Sequence, residues 1–279
     1  MTVRGIDISK HNGTIDFQKV KNSGIDFAMI RAGFGSSAVD TYFHRNVKGA
    51  QANGIKCGVY WFSYAYTPQM AKAEAKKCIE TIKQYNLEYP VAFDFEYASV
   101  NYAKDNGVII TKSLASQIAD TFLTAVKNAG YHVILYTNID YYNNYFNDAV
   151  KKKYDIWLAA YRDTKPNFNQ KMWQYSETGS VDGIKGRVDM NISYYQTTES
   201  KLTQGAKAVN ITLSLLQIGS KGNGVKAIQQ LLNARGFSCG TADGIFGEKT
   251  KNAVSQYQKS KHITADGVVG KQTYYKLLK

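Results

Sequence analysis

The sequence predicts an irregular β/α barrel of eight strands and five helices, followed by a small all-α domain. Three observations predict it. Eight short β-branched or aromatic runs are spread over the first two thirds of the chain. Helical patterns separate the first six of these runs, which implies a parallel sheet able to close on itself. Near the C-terminus, Thr241-Ala-Asp-Gly-Ile-Phe-Gly-Glu-Lys-Thr250 recurs as Thr264-Ala-Asp-Gly-Val-Val-Gly-Lys-Gln-Thr273, each copy an Asp-Gly turn leading into a helical run.

The strands fall near 3–8, 26–32, 56–62, 90–96, 132–137, 155–160, 171–175 and 187–190. Helical segments lie at 15–23, 40–53, 68–86, 112–129 and 139–151. Pro68 suits a first helical turn, and Gly130 sits just past the end of the fourth segment. The connections 161–170 and 176–186 hold Asn, Pro and Gly and are too short for more than a turn of helix, so the closure is irregular. Residues 198–211 have no strong period and read as a linker between a barrel, 1–197, and a tail, 212–279. In the tail, a helix from Val225 to Ala234 places Val225, Ile228, Leu231 and Leu232 on one face. The Asp-Gly turns lack the flanking acidic ligands of a calcium loop.

Composition narrows the class. With 279 residues, 44% hydrophobic and 20% charged, the chain is globular rather than disordered, collagen-like or a disulfide-dense miniature. It has no apolar run near the roughly 20 residues of a membrane span, so no stable membrane insertion is expected. The first residues are patterned as a strand and carry no secretion signal. Residues 200–279 hold 12 of the 35 Lys and Arg but only 3 of the 22 Asp and Glu, so the tail suits a polyanion. A nucleic-acid partner is not expected, because no reading motif or clustered basic helix is present. Cys57, Cys78 and Cys239 form no C-x-x-C pair and read as unpaired, mostly buried thiols. No metal and no cofactor are expected: the four His are not at ligand spacing, and Walker, G-x-G-x-x-G and G-x-S-x-G motifs are absent.

The candidate chemistry is concentrated in Val91-Ala92-Phe93-Asp94-Phe95-Glu96. Alternation sends Val91, Phe93 and Phe95 to one face and Ala92, Asp94 and Glu96 to the other. In a barrel the second face points inward, and the strand's C-terminal end is where such folds build active sites. Two carboxylates in a dry interior repel, which raises at least one pKa and prepares a general acid. The competing reading is that they only cap neighbouring loops. Asp7 ends the first strand and Asp189 lies in the last, so a closed barrel could bring both beside the pair. Aromatic residues crowd the same strand ends, among them Tyr60, Trp61, Tyr64, Tyr136, Trp157, Tyr161, Trp173 and Tyr175. Such faces stack on sugar rings. Paired acids with aromatics and no metal point to glycoside hydrolysis. Adjacent inward positions on a strand stand roughly 7 Å apart, which does not separate retaining from inverting chemistry.

Gly5-Ile6-Asp7-Ile8-Ser9, Asp94-Phe95-Glu96, Trp157-Leu158-Ala159 with Tyr161, Trp173-Gln174-Tyr175 and Val188-Asp189-Met190-Asn191 resemble the family 25 glycoside hydrolases, the Ch-type lysozymes or N-acetylmuramidases. The resemblance runs over about 1–196 and implies a barrel of eight strands and five helices. It also implies cleavage of the β-1,4 bond between N-acetylmuramic acid and N-acetylglucosamine in bacterial peptidoglycan. By position, Glu96 resembles the family's general acid. Asp94 resembles the partner that orients the substrate acetamido group or stabilises developing positive charge. Asp7 and Asp189 match supporting acids, while Tyr60, Tyr136, Trp157, Tyr161 and Trp173 fall at substrate-binding positions. The tail resembles a three-helix peptidoglycan-binding domain. That combination without a signal peptide resembles a phage endolysin, held in the host bacterial cytoplasm until lysis and acting at the cell wall. An N-acetylglucosaminidase or chitinase-like hydrolase with the same acid pair, and a non-catalytic wall-binding protein, are the alternatives.

Overall fold

A computed structural model describes residues 2–195 and 215–277. The linker at 198–211, and the domain limits at 197 and 212, lie outside the described residues. The chain divides into two compact units, Met1–Lys207 and Ala208–Lys279.

The first unit is built on strands β1 (Val3–Ile8), β2 (Phe27–Phe34), β3 (Ala38–Val39), β4 (Lys56–Phe62), β5 (Val91–Asp94), β6 (Val133–Asn138), β7 (Asp155–Ala159), β8 (Met172–Gly179) and β9 (Val188–Ser193). Their order is β1-β9-β8-β7-β6-β5-β4-β2-β3, and β1 also pairs with β2. Eight strands therefore close into a barrel, with the two-residue β3 hanging antiparallel on β2. One face of each strand packs inward: Phe27, Met29, Ala92, Ile134, Trp157 and Met172 form an interior cluster. Space for Phe27 comes from a missing side chain, since a Cβ on Gly5 would stand 2.3 Å from its ring. The opposite faces, including Ile6, Ile30, Val59, Phe93 and Leu135, pack under the helices.

The helices are α1 (Phe17–Asn22), α2 (Phe43–Ala52), α3 (Pro68–Ile82), α4 (Tyr97–Asp105), α5 (Lys112–Asn128), α6 (Ile139–Asn144) and α7 (Asp148–Lys153). Helix α3 starts where Thr67 accepts the Met70 N–H at 3.2 Å with Pro68 in the first turn, and it buries Ala71, Ala75, Cys78 and Ile82. Helix α5 is capped the same way by Thr111 and buries Ile118, Phe122, Leu123 and Val126. Each such large side chain contributes about 1.5–3 kcal/mol by leaving water.

Three sequence expectations need correction. The segment 139–151 is two helices, because Asn147 caps a new one by accepting the Val150 N–H. The strand at 90–96 stops at Asp94, and Glu96 is the N-cap of α4, a helix absent from the sequence reading. Its nine residues carry too short an apolar stripe to stand out, with only Ser99 and Ala103 buried. Third, the sheet is not wholly parallel: β9 runs antiparallel to both β8 and β1. The reason is length, since a parallel return needs a crossover of about a dozen residues or more whereas an antiparallel one needs only a turn.

The second unit holds α8 (Asn223–Ala234), α9 (Glu248–Ser260) and α10 (Lys271–Leu277) around Val225, Ile228, Leu232, Phe246, Val254, Tyr257 and Val269. The sequence repeat is a structural repeat. Gln229 donates to Asp243 Oδ1, Ile245 O and Thr250 Oγ1, and accepts the Gly244 N–H. Gln258 does the same to Asp266 Oδ1, Val268 O and Thr273 Oγ1, and accepts the Gly267 N–H. Asp, Gly and Thr of each copy thus serve the turn, with Gly244 and Gly267 at positive φ. Cys57, Cys78 and Cys239 are free and buried.

Candidate active site

The C-terminal ends of the barrel strands enclose a cleft of about 370 Å3 lined by Asp7, Asp94, Glu96 and Asp189 together with Arg31, Tyr60, Tyr136, Trp157, Tyr161 and Gln174. The antiparallel β9 is what brings two of the acids together: Asp7 pairs directly with Asp189 across the β1–β9 ladder. Residues opposite one another in a ladder share a face. Asp94 ends β5, and Glu96 reaches the same space because the chain breaks from the strand into α4. The Glu96 N–H donates to Ser99 Oγ at 3.1 Å, which fixes that break.

All four carboxyl groups are pushed toward the neutral form. Burial, then the Asp189 charge, raises Asp7 well above the ordinary carboxylate range, although Gln174 and Asn191 both donate to its Oδ2, at 2.8 and 2.7 Å. Burial also raises Asp189, opposed by its hydrogen bond with Asp7. Asp94 is raised well above its usual value by burial and by Glu96 and Asp7, with Arg31 opposing. Its Oδ1 is buried and has no hydrogen-bond partner among the described residues. An orphaned acceptor of this kind costs about 1–3 kcal/mol, which a donor on a ligand would recover. Glu96, half-buried, is raised by burial and Asp189, while the Tyr136 hydroxyl opposes. A carboxylic acid whose pKa is raised at the mouth of a cleft is suited to donate a proton.

The aromatic expectations divide. Tyr60, Tyr136, Trp157 and Tyr161 line the cleft, but Trp173 does not. Alternation on β8 turns Trp173 outward into the core beneath the helices, where its indole donates to Ala160 O at 2.7 Å, and turns Gln174 inward. Trp157 is only 2% exposed, so it forms the floor: it stacks edge-on against Tyr136 with centroids 4.8 Å apart and donates to Asn191 Oδ1. Tyr161, at 52% exposed, stands on the rim and shares Gln174 Oε1 with Tyr136.

Sequence reasoning missed the polar frame behind the acids. Arg31 comes from β2, where Phe27, Met29 and Arg31 alternate inward; its Nε donates to Asp40 Oδ2 at 2.8 Å, and its Nη2 lies 2.8 Å from the same oxygen as an ion-pair contact. Asp40 is 1% exposed and also accepts the Lys10 and Tyr42 N–H groups. Gln174 and Asn191 lay in the motifs already quoted, and the strand period that placed Asp189 places Asn191 beside it.

Comparison with known proteins meets this geometry. A family model described as "Glycosyl hydrolases family 25" matches residues 6–184. The chain belongs to that family. Its barrel is accordingly that of a glycoside hydrolase. A second model, "Putative peptidoglycan binding domain", matches residues 221–277. Among relatives, an autolytic lysozyme of Clostridium acetobutylicum is 31% identical over 280 residues, 97% of this chain and 77% of that protein. Among solved structures, the modular autolysin LytC of Streptococcus pneumoniae, in complex with a synthetic peptidoglycan ligand, superposes with a TM-score of 0.62 at 32% identity. That match covers 69% of this chain and 47% of the autolysin, so this chain spans about half its length. The catalytic domain of endolysin ply40, from bacteriophage P40 of Listeria monocytogenes, gives a TM-score of 0.55 at 25% identity over 68% of this chain and 92% of that domain.

Proposed function

We propose that this family 25 member is a muramidase that hydrolyses the β-1,4 bond between N-acetylmuramic acid and N-acetylglucosamine, with its C-terminal unit holding it to the bacterial wall. The observation that carries the reading is the meeting of Glu96, whose pKa burial raises, with an Asp94 Oδ1 that has no partner among the described residues, in one aromatic-walled cleft. Glu96 gives its proton to the glycosidic oxygen as the bond breaks. Positive charge then develops at the anomeric carbon. Asp94 Oδ1 accepts the acetamido N–H of the sugar and turns the acetamido carbonyl toward that carbon. Water completes the hydrolysis with Glu96 taking back a proton. Asp7 and Asp189, paired across the β1–β9 ladder, line the cleft beneath the sugar, and Gln174 and Asn191 fix Asp7 in place. Tyr60 and Tyr161 offer faces for the rings, while Tyr136 and Trp157 shape the floor.

The cellular role that fits this chemistry is that of an endolysin, kept in the host cytoplasm and released onto the wall at lysis. Similarity to the Clostridium autolytic lysozyme across nearly the whole chain favours a second role, turnover of the producing bacterium's own wall. The chemistry is tested by digesting purified peptidoglycan, reducing the products with borohydride and identifying the reduced sugar by mass spectrometry. Reduced muramic acid is expected. Reduced glucosamine would move the activity to a glucosaminidase, and no new ends would leave a wall-binding protein.

A further inference from the structure

Beside the cleft lies a smaller cavity of about 180 Å3 lined by Lys10, His11, Arg31, Phe34, Phe62 and Tyr64. His11, Arg31 and Phe62 line both spaces, so the two are adjacent. Their charge is opposite. The cleft is walled by Asp7, Asp94, Glu96, Glu177 and Asp189, whereas the lining of the annex contains no carboxylate. Asp40, the nearest acid to Arg31, is 1% exposed and already holds the Arg31 guanidinium from beneath. Lys10 Nζ lies 5.9 Å from the centroid of the Phe34 ring, and Arg31 Cζ lies 5.6 Å from the same ring. Two cations at one ring repel unless each has a counter-charge. Arg31 has Asp40; Lys10 has no ion pair among the described residues and is exposed.

The annex therefore presents one unmatched positive charge between aromatic walls, directly beside a cleft lined by carboxyl groups. It suits a small group with an apolar part and a single carboxylate. A chain of N-acetylhexosamines has no such group except at the muramoyl residue, whose 3-oxygen bears a lactyl ether. We propose that the annex is a specificity site for the carboxylate-bearing 3-substituent of the muramoyl sugar, with its carboxylate against Lys10 and its methyl group against Phe34 and Phe62. This rests on the muramidase reading and deepens it: the acid pair selects the bond chemistry, and the annex selects which sugar sits beside it. Two sources supply the same carboxylate, the bare lactyl group of a stem-free strand and the first acidic residue of an attached stem peptide.

The test uses the full chain and three substrates: stem-free glycan with free lactyl carboxylates, the same glycan converted to neutral methyl amides, and stem-bearing glycan. Lys10 is the clean probe, since it lines the annex and not the cleft. The wild-type protein is expected to show a KM about three- to fivefold lower for the free carboxylate than for the amide, as suits one partly exposed charge pair. Lys10→Gln brings the ratio of the two KM values toward one, Lys10→Glu inverts it, and added salt shrinks it. A Lys10 dependence confined to stem-bearing glycan assigns the stem carboxylate; one confined to stem-free glycan assigns the lactyl carboxylate. Equal wild-type KM values on all three substrates, with neither variant moving a ratio, would overturn the annex and leave the muramidase standing. Absence of new reducing ends from every substrate would instead remove the muramidase reading, and the annex with it.

Discussion

The Gln258→Leu substitution isolates the second unit from the first. Gln258 is 1% exposed and makes four hydrogen bonds to the turn that follows it, of 2.8 to 3.0 Å. Leucine has a comparable volume and none of them. Asp266 Oδ1 keeps the Val268 N–H, and Thr273 keeps its own bond to Val268 O. Gly267 N–H loses the partner described for it. One stranded buried donor costs about 1–3 kcal/mol and the remaining lost bonds about 0.5–1.5 kcal/mol each, which places the total near 4 kcal/mol. A unit of this size has a stability of only about 3–5 kcal/mol, so the variant tail is largely unfolded at 37 °C. All 3 tryptophans, Trp61, Trp157 and Trp173, lie in the barrel, and their fluorescence reports that unit alone. Amide hydrogen exchange read by mass spectrometry reports the tail. Exchange in α9 and α10 should accelerate by on the order of several hundredfold, with the tryptophan transition unmoved and whole-wall binding lost. Acceleration of less than about tenfold, equivalent to roughly 1.4 kcal/mol, would refute the claim that the glutamine holds the turn.

Four further outcomes follow from the same geometry. Glu96→Gln should abolish turnover and leave wall binding intact in a sedimentation assay. In the wild-type protein kcat should persist above the ordinary glutamate pKa and fall as Glu96 ionises, since burial raises it and only the protonated form can act. Glu74, fully buried on α3, is pushed up to about 7, so the stability it contributes at low pH is lost as pH rises from its unfolded value through 7. Glu74→Gln, which still accepts the Tyr64 N–H, should therefore stabilise the barrel by up to about 3 kcal/mol at pH 8 and little at pH 4, measured by urea unfolding. Deleting 205–279 should weaken binding to whole walls more than it slows cleavage of soluble fragments, and equal losses would make the tail a structural part of the barrel.

The strands and three of the four acids were legible because their signal is local. A period of two sorts Phe93 from Asp94 with no knowledge of any partner, and Asp7 and Asp189 stand in strands that the same period defines. Glu96 was found for a reason only half correct: it belongs to the cleft, but through a helix cap rather than through strand alternation. What stayed hidden depends on pairs far apart in sequence. Arg31 is a lone polar residue in an apolar strand until Asp40 is seen beneath it. Gln174 and Asn191 acquire a role only when the closed sheet brings Asp7 to them across 167 and 184 positions. Trp173 was misplaced because it was read by its type, when the strand period already turned it away from Gln174. In the tail the repeat was plain, but the glutamines that explain it lie outside the repeated segment.

Those glutamines bridge unequal distances. Gln229 reaches an aspartate 14 residues ahead and Gln258 one only 8 ahead, yet each fastens its turn by the same four bonds. The intervening segment is therefore free to vary in length without disturbing what it connects. The six additional residues of the first copy are spent on its own core, where Cys239 is buried and Phe237 packs beside it, so one fastening serves two connections of different content.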